Sequence, residues 1–186
     1  MKVTKEKAAS NKAAILQAAA HLYREHGVEG VGIGQLARSV GLTHGGFYGQ
    51  FPGGKEELAA AAVQQMFESD RSAFKQATTL TELVEAYLSE RHVAGVGTGC
   101  PVPALAADIA RQTDTVKQPF TAGIRAMLAT IERVDGVEND ETSHLRAAQI
   151  LASMVGAVLL ARAVDDPQLA RLFREATAEA WCSSTP

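Results

Sequence analysis

Two short stretches carry side chains with chemistry to offer. In GLTHGGFYGQF, Gly41 to Phe51, the hydrogen-bonding residues Thr43, His44, Tyr48 and Gln50 surround the paired glycines Gly45 and Gly46. Each glycine weakens a helix by about 1 kcal/mol relative to alanine, so a helix here gives up stability to keep one face nearly bare. Such a face lets a backbone come close to a large partner, and hydroxyl, imidazole and carboxamide groups can pair with base edges or phosphates. The second stretch, TGCPVP, sets Cys100 just ahead of Pro101, with His92 eight residues earlier. A thiol at a helix start ionises more readily, which fits a nucleophile–base pair or a thiol that answers oxidants and electrophiles. A small packed core residue is the plain alternative.

Periodicity supplies the elements that would position these groups. Ser10 or Asn11 can cap a first helix, with Ile15, Ala19, Leu22 and Tyr23 at helical spacing and Gly27 as its stop. A second runs from Gly34 to Val40, with Gly41 as its C-terminal stop and Leu42 packing back. Thr43 is a good N-cap for a third, HGGFYGQF, in which Phe47 turns inward and Tyr48 outward, and Pro52-Gly53-Gly54 ends it. Two short helices joined by so tight a turn make a helix-turn-helix. A fourth helix starts at Lys55 and continues to Phe74. LTELVEAYLSERHV is a fifth, PVPALAADIARQ a sixth, and a seventh follows Asp114 with Pro119 early in it. The eighth, from Glu141, is apolar nearly all round, and Asp165-Asp166-Pro167 opens the ninth. Strand patterns and internal repeats are lacking. The chain reads as all-α, with a three-helix unit over residues 1–54 and a helical unit over 55–186.

Composition narrows the class. Of 186 residues, 46% are apolar and 21% charged, ordinary for a globular chain. The start is basic with no following apolar stretch, so it is no secretory signal. The longest later apolar run, fifteen residues between Arg146 and Arg162, is shorter than the roughly 20 a bilayer asks for, which points to a buried helix, no membrane and a cytoplasmic location. Residues 1–55 hold seven Lys/Arg against three Glu, whereas 56–186 hold eleven Lys/Arg against eighteen Asp/Glu. Charge asymmetry of this kind speaks to partners: the basic start either meets nucleic acid or merely solvates the chain end through Lys2, Lys5, Lys7 and Lys12. The glycine clusters at Gly30–Gly34 and Gly95–Gly99 lack a preceding strand and a Gly-Lys-Ser/Thr continuation, and read as turns. His21, His26, His92 and His144 show no metal-ligand spacing; neither metal nor cofactor is expected.

The segment Ile15–Val63, with its Gly-Leu-Thr, Phe-Tyr, Phe and Lys-Glu-x-Leu pieces, resembles the DNA-binding domain of the TetR/AcrR family of transcriptional regulators. The resemblance implies a homodimer bound to a palindromic double-stranded operator, with a small-molecule effector held in the C-terminal domain and the last two long helices as dimer interface. It places Gln35, Thr43, His44, Gly45, Gly46, Tyr48, Gln50 and Lys55 at the DNA. Gly49 stands where the family commonly has a basic or polar residue and Gln50 where it has histidine. The loop from Phe51 to Lys55 is one residue longer than the commonest pattern. Effector-pocket candidates, chosen as apolar or sulfur-bearing residues on the helices around it, are Met66, Phe67, Tyr87, His92, Cys100, Phe120 and Met127. GCPVPALAADIA is also similar to a subgroup whose cysteine at this place answers electrophiles. The competing readings are a cysteine-dependent enzyme and a helical protein-binding adaptor. Salt-dependent duplex binding separates both from a regulator: if Lys12, Tyr48 and Lys55 meet phosphates, log affinity falls by about 0.9 per contact for each unit of log salt.

Overall fold

The computed structural model describes residues 5–68, 73–136 and 141–182. Among them are eleven helices and no strand: α1 Lys5–His26, α2 Ile33–Ser39, α3 His44–Tyr48, α4 Gly54–Glu68, α5 Ala73–Gln76, α6 Leu80–Tyr87, α7 Glu90–Ala94, α8 Pro101–Ile109, α9 Asp114–Asp135, α10 Glu141–Ala163 and α11 Pro167–Cys182. The all-α reading stands; the count rises from nine to eleven at two places. Part of the long fourth helix, residues 69–72, lies outside the described residues, so α4 and α5 are separate described elements. The expected fifth helix is two, because Ser89 is an N-cap rather than an interior residue: its hydroxyl accepts the His92 N–H at 3.3 Å. Thr79 caps α6, its hydroxyl accepting the Glu82 N–H.

α1 begins at Lys5, ahead of the expected Ser10/Asn11 cap, and both residues lie inside it. Ala8, Ala9, Ala13 and Ala14 cost no side-chain entropy in a helix, and Glu6 suits its first turn. α3 ends at Tyr48 rather than at Phe51, with Gly49 as its C-cap.

Two compact units form. The first joins the described part of Met1–Ser69 to Ala104–Thr121, a segment from the middle of the chain. Its core gathers Ile15, Ala19, Tyr23, Leu36, Phe47, Phe51, Leu58, Val63 and Met66 with Leu105, Ile109 and Val116. Polar bonds hold the inserted segment as well. The Asp108 carboxylate accepts the Val28 N–H at 2.6 Å across 80 residues of sequence. Gln112 donates to Glu29 at 3.2 Å, and the Thr113 hydroxyl donates to Glu56.

The second unit takes the described residues of Asp70–Pro103 and Ala122–Pro186. There α10 packs on α11 and α7, and α6 on α5 and α11. The Trp181 indole donates to Ser153 at 2.7 Å, while Arg146 lies over its ring and pairs with Asp135 at 2.6 Å. By length and composition α10, with 23 residues, is long enough to cross a membrane. It buries Ala147, Ile150, Leu151, Met154 and Val158, however, as a core helix does. Its exposed leucines are Leu145, Leu159 and Leu160.

Asp108→Ala leaves the Val28 amide without its carboxylate, and a lost bond to a charged group costs about 1.5–3 kcal/mol. The urea midpoint is expected to fall and amide exchange at Val28 to quicken, with Asp108→Asn milder. A midpoint equal to wild type would show that the inserted segment adds nothing to the first unit.

Candidate nucleic-acid interface

α2 ends in a turn the sequence spells out. Gly41 has φ +69, a conformation that L side chains rarely adopt. Its N–H bonds the Arg38 carbonyl at 3.1 Å and the Leu42 N–H bonds the Ala37 carbonyl at 2.8 Å, a Schellman pair. Two residues on, Thr43 opens α3 by accepting the Gly46 N–H at 3.1 Å. That bond uses the Thr43 oxygen as acceptor and leaves its O–H and methyl to face outward.

Phe47 is fully buried and Tyr48 is 41% exposed, as their alternation predicts. Phe47 lies 5.6 Å from Phe51, ring centre to ring centre. His44 and Tyr48 meet edge to face at 5.2 Å on the outer side. Gln35, Thr43, His44 and Gly45 are exposed; Gly46 and Gln50 are half-buried. A Cβ built on Gly45 meets nothing within 4 Å, so nothing inside the chain requires glycine there.

The Lys55 ammonium sits 3.1 Å from the exposed Glu29 carboxylate, so a phosphate at Lys55 competes with a surface ion pair. Lys55, then Gln112, hold the Glu29 carboxyl below the usual carboxylate range. Arg38 was missed: it is exposed three residues after Gln35, on the same face of α2. The buried pair Leu36 and Ala37 between them marks that face in the sequence.

The seven effector candidates fall into two groups. In the first unit Met66 is buried and Phe67 meets Phe120 edge to face at 5.7 Å. In the second, Tyr87, Cys100 and Met127 are buried, and the Tyr87 and His92 rings lie 4.5 Å apart. An open hollow of about 450 Å³ in the first unit is lined by Gly53, Glu56, Glu57, Ala60, Ala61, Gln64, Thr115 and Pro119, none of them a candidate.

His92 explains the second glycine cluster. Its Nε2 accepts the Cys100 backbone N–H at 3.0 Å and its Nδ1 faces the Tyr87 carbonyl. A Cβ on Gly99 would come within 2.7 Å of the ring. Both ring nitrogens therefore serve backbone groups, which removes the geometry of a His–Cys nucleophile pair. Arg162 caps α7, donating to the His92 and Val93 carbonyls at 2.8 and 3.0 Å. Burial lowers the pKa of that guanidinium. Among the described residues no three His, Cys, Asp or Glu gather as metal ligands.

Comparison with known proteins agrees with this geometry. Residues 15–62 match the family model of bacterial regulatory proteins, tetR family. Residues 76–177 match the tetracyclin repressor-like C-terminal domain. The chain is 28% identical over 156 residues to the HTH-type transcriptional regulator LmrA of Bacillus subtilis, covering 78% of this chain and 83% of that protein. A TetR-family regulator from Agrobacterium tumefaciens superposes with a TM-score of 0.74 at 22% identity, covering 94% of this chain and 98% of that one. The reduced form of E. coli NemR gives 0.68 at 17%, covering 90% and 95%. At these identities the structures show the shared fold.

Thr43→Ala removes the cap of a helix only five residues long. A loss of about 1 kcal/mol is expected, read as a lower thermal midpoint that Thr43→Ser restores. A midpoint unmoved by alanine would mean that α3 does not depend on its cap.

Proposed function

We propose that this chain, which belongs to the tetR family of bacterial regulatory proteins and is a DNA-binding transcriptional regulator rather than an enzyme, acts as a homodimeric repressor released from a palindromic operator by a small molecule or by modification of Cys100. The observation that carries the DNA reading is the outer face of α3. Thr43, His44 and Tyr48 stand exposed around Gly45, whose missing Cβ serves no internal contact. In a helix-turn-helix this second helix enters the major groove and its N-terminal residues meet base edges. Gln35 reaches the backbone from α2; Gly46 gives clearance and Gln50 meets the groove edge.

Residues 1–54, with Lys55 at the boundary, carry the DNA contacts and 55–186 the effector and the dimer contacts. The dimer reading is supported by Leu145, Leu159, Leu160, Leu169 and Leu172, large apolar side chains left exposed on α10 and α11. A two-fold pairing of these helices covers them and sets two recognition helices about 34 Å apart, or a multiple of that. An effector that favours another dimer geometry by a few kcal/mol releases the operator. Met66, Phe67 and Phe120, or Tyr87, His92, Cys100 and Met127, offer it apolar contact. Lys55, held by Glu29, is the weakest of the proposed DNA contacts.

Selection of duplexes from a random pool by the purified protein tests the operator reading: a two-fold symmetric motif is expected, and absence of enrichment at moderate salt would overturn it. On the enriched duplex, Gly45→Ala is expected to weaken binding at least tenfold while raising helix stability by up to about 1 kcal/mol. Equal affinity would mean that α3 does not approach the duplex closely at Gly45. Cys100→Ser is expected to abolish release by quinones or aldehydes, and unchanged release would remove Cys100 as the sensor.

A further inference from the structure

Arg162 stands near the end of α10, half-buried in the second unit. Its Nε and Nη2 donate to the Val93 and His92 carbonyls at 3.0 and 2.8 Å. Both bonds leave from one edge of the planar guanidinium. Nη1 lies off that edge, is buried, and has no hydrogen-bond partner among the described residues. An arginine keeps its proton in proteins, so the group stays a cation however it is surrounded.

Other arginines of the second unit are matched by carboxylates. Arg146 meets Asp135, Arg171 meets Glu175 and Arg174 meets Glu90. Arg162 has a different setting. Burial lowers its pKa, and the electrostatic neighbours that act the other way are Tyr87 and Cys100, a phenol and a thiol. Each is only 2% exposed, and the Phe74 ring meets Tyr87 edge to face at 5.4 Å. A buried cation is costly unless an opposite charge meets it, and the two carbonyls supply dipoles alone.

Geometry defines the partner that fits. With the Nε–Nη2 edge given to carbonyls, the Nη1–Nη2 edge is left, and parallel N–H groups on such an edge match the two oxygens of a carboxylate. Beside it are a thiol and aromatic rings, which suit an apolar body behind the acid group. We propose that Arg162 anchors a ligand site in the second unit that takes a small organic acid, its carboxylate on the Nη1–Nη2 edge and its apolar body against Tyr87. The inference rests on the effector reading above and gives the effector a chemical class. It also adds a charged anchor to a set of candidates that were chosen as apolar or sulfur-bearing.

The test uses the full-length protein without DNA, with benzoate, octanoate and the amide of each as probes at matched ionic strength. At about 10 mM at least one acid is expected to raise the thermal midpoint by about 2 °C or more, and its amide is not. Equal shifts from acid and amide, or no shift from either acid, overturn the proposal. Arg162→Gln is expected to bind the acid at least about tenfold more weakly, the worth of a charge-assisted bond; unchanged affinity overturns the site. Because Arg162 also caps α7, Arg162→Lys is the second variant. It keeps the charge and loses the fork, and is expected to bind at least about threefold more weakly; wild-type affinity there overturns the proposal too. Cys100→Ser is expected to keep the shift. A shift seen only in Cys100→Ser counts against the site, since the thiolate would then be the anion that Arg162 meets. Release from the enriched duplex separates the two readings. Acid bound through Arg162 without release supports the site and removes its effector role, whereas release by a neutral compound or an electrophile, with no acid bound, overturns the site and leaves the effector reading standing.

Discussion

The surface that faces DNA depends on the burial of Phe47. α3 has five residues, two of them glycine, and the glycines alone cost it about 2 kcal/mol of helix propensity. A single hydrogen-bonded turn is also the unfavourable part of helix formation. Fully burying a phenylalanine returns about 1.5–3 kcal/mol, and the Thr43 cap adds about 1 kcal/mol. Burial is the larger of the two favourable terms, so the helix exists where Phe47 enters the core. Its orientation follows from the same contact. Gly45, two residues earlier, falls nearly opposite Phe47 at helical periodicity, which is why the bare face points outward.

What could be read from the sequence was local. Gly41 as the stop of α2, Thr43 as the cap of α3 and the inward–outward alternation of Phe47 and Tyr48 are each decided within four residues. Each appears in the structure with the bond its chemistry implies. Two features of the structure lie beyond any local pattern. Lys55 looked available for phosphate because its partner, Glu29, is 26 residues away. The division at residue 54 could not foresee that Ala104–Thr121 would join the N-terminal core, because Asp108 and Val28 are paired by tertiary packing and by no pattern of spacing. Where α1 starts was misjudged for another reason: alanine-rich sequence continues a helix past a serine that could have capped it.

The His92–Cys100 pair shows how far spacing carries and where it stops. Sequence proximity through a glycine loop placed the imidazole near the cysteine, and the structure does so. Spacing cannot say which atom of Cys100 the ring meets, and here it is the backbone amide. A neutral imidazole has one donor and one acceptor nitrogen. With Nε2 accepting from Cys100, Nδ1 carries the proton and donates to the Tyr87 carbonyl. The ring thereby ties the end of α6 to the start of α8 across α7, and Gly99 is glycine because the ring occupies the space of its Cβ. A loop that resembles a phosphate cradle is thus a tie between helices, and the burial of Cys100 follows from it.

Net charge tells little until paired charges are set aside. The N-terminal segment has a positive balance, but the Lys55 cation is already matched by Glu29. Other cations of that segment, among them Arg38 on α2 and Lys5 and Lys12 on α1, are exposed. The later residues are acidic in balance, and like charge turns the DNA backbone away from them. Such asymmetry orients encounter before any base is read. Attraction then comes from exposed cations at the periphery, and discrimination from a nearly bare helix whose glycines permit close contact. A helix with more charge on it would bind more firmly and choose less well, and α3 itself bears no lysine or arginine.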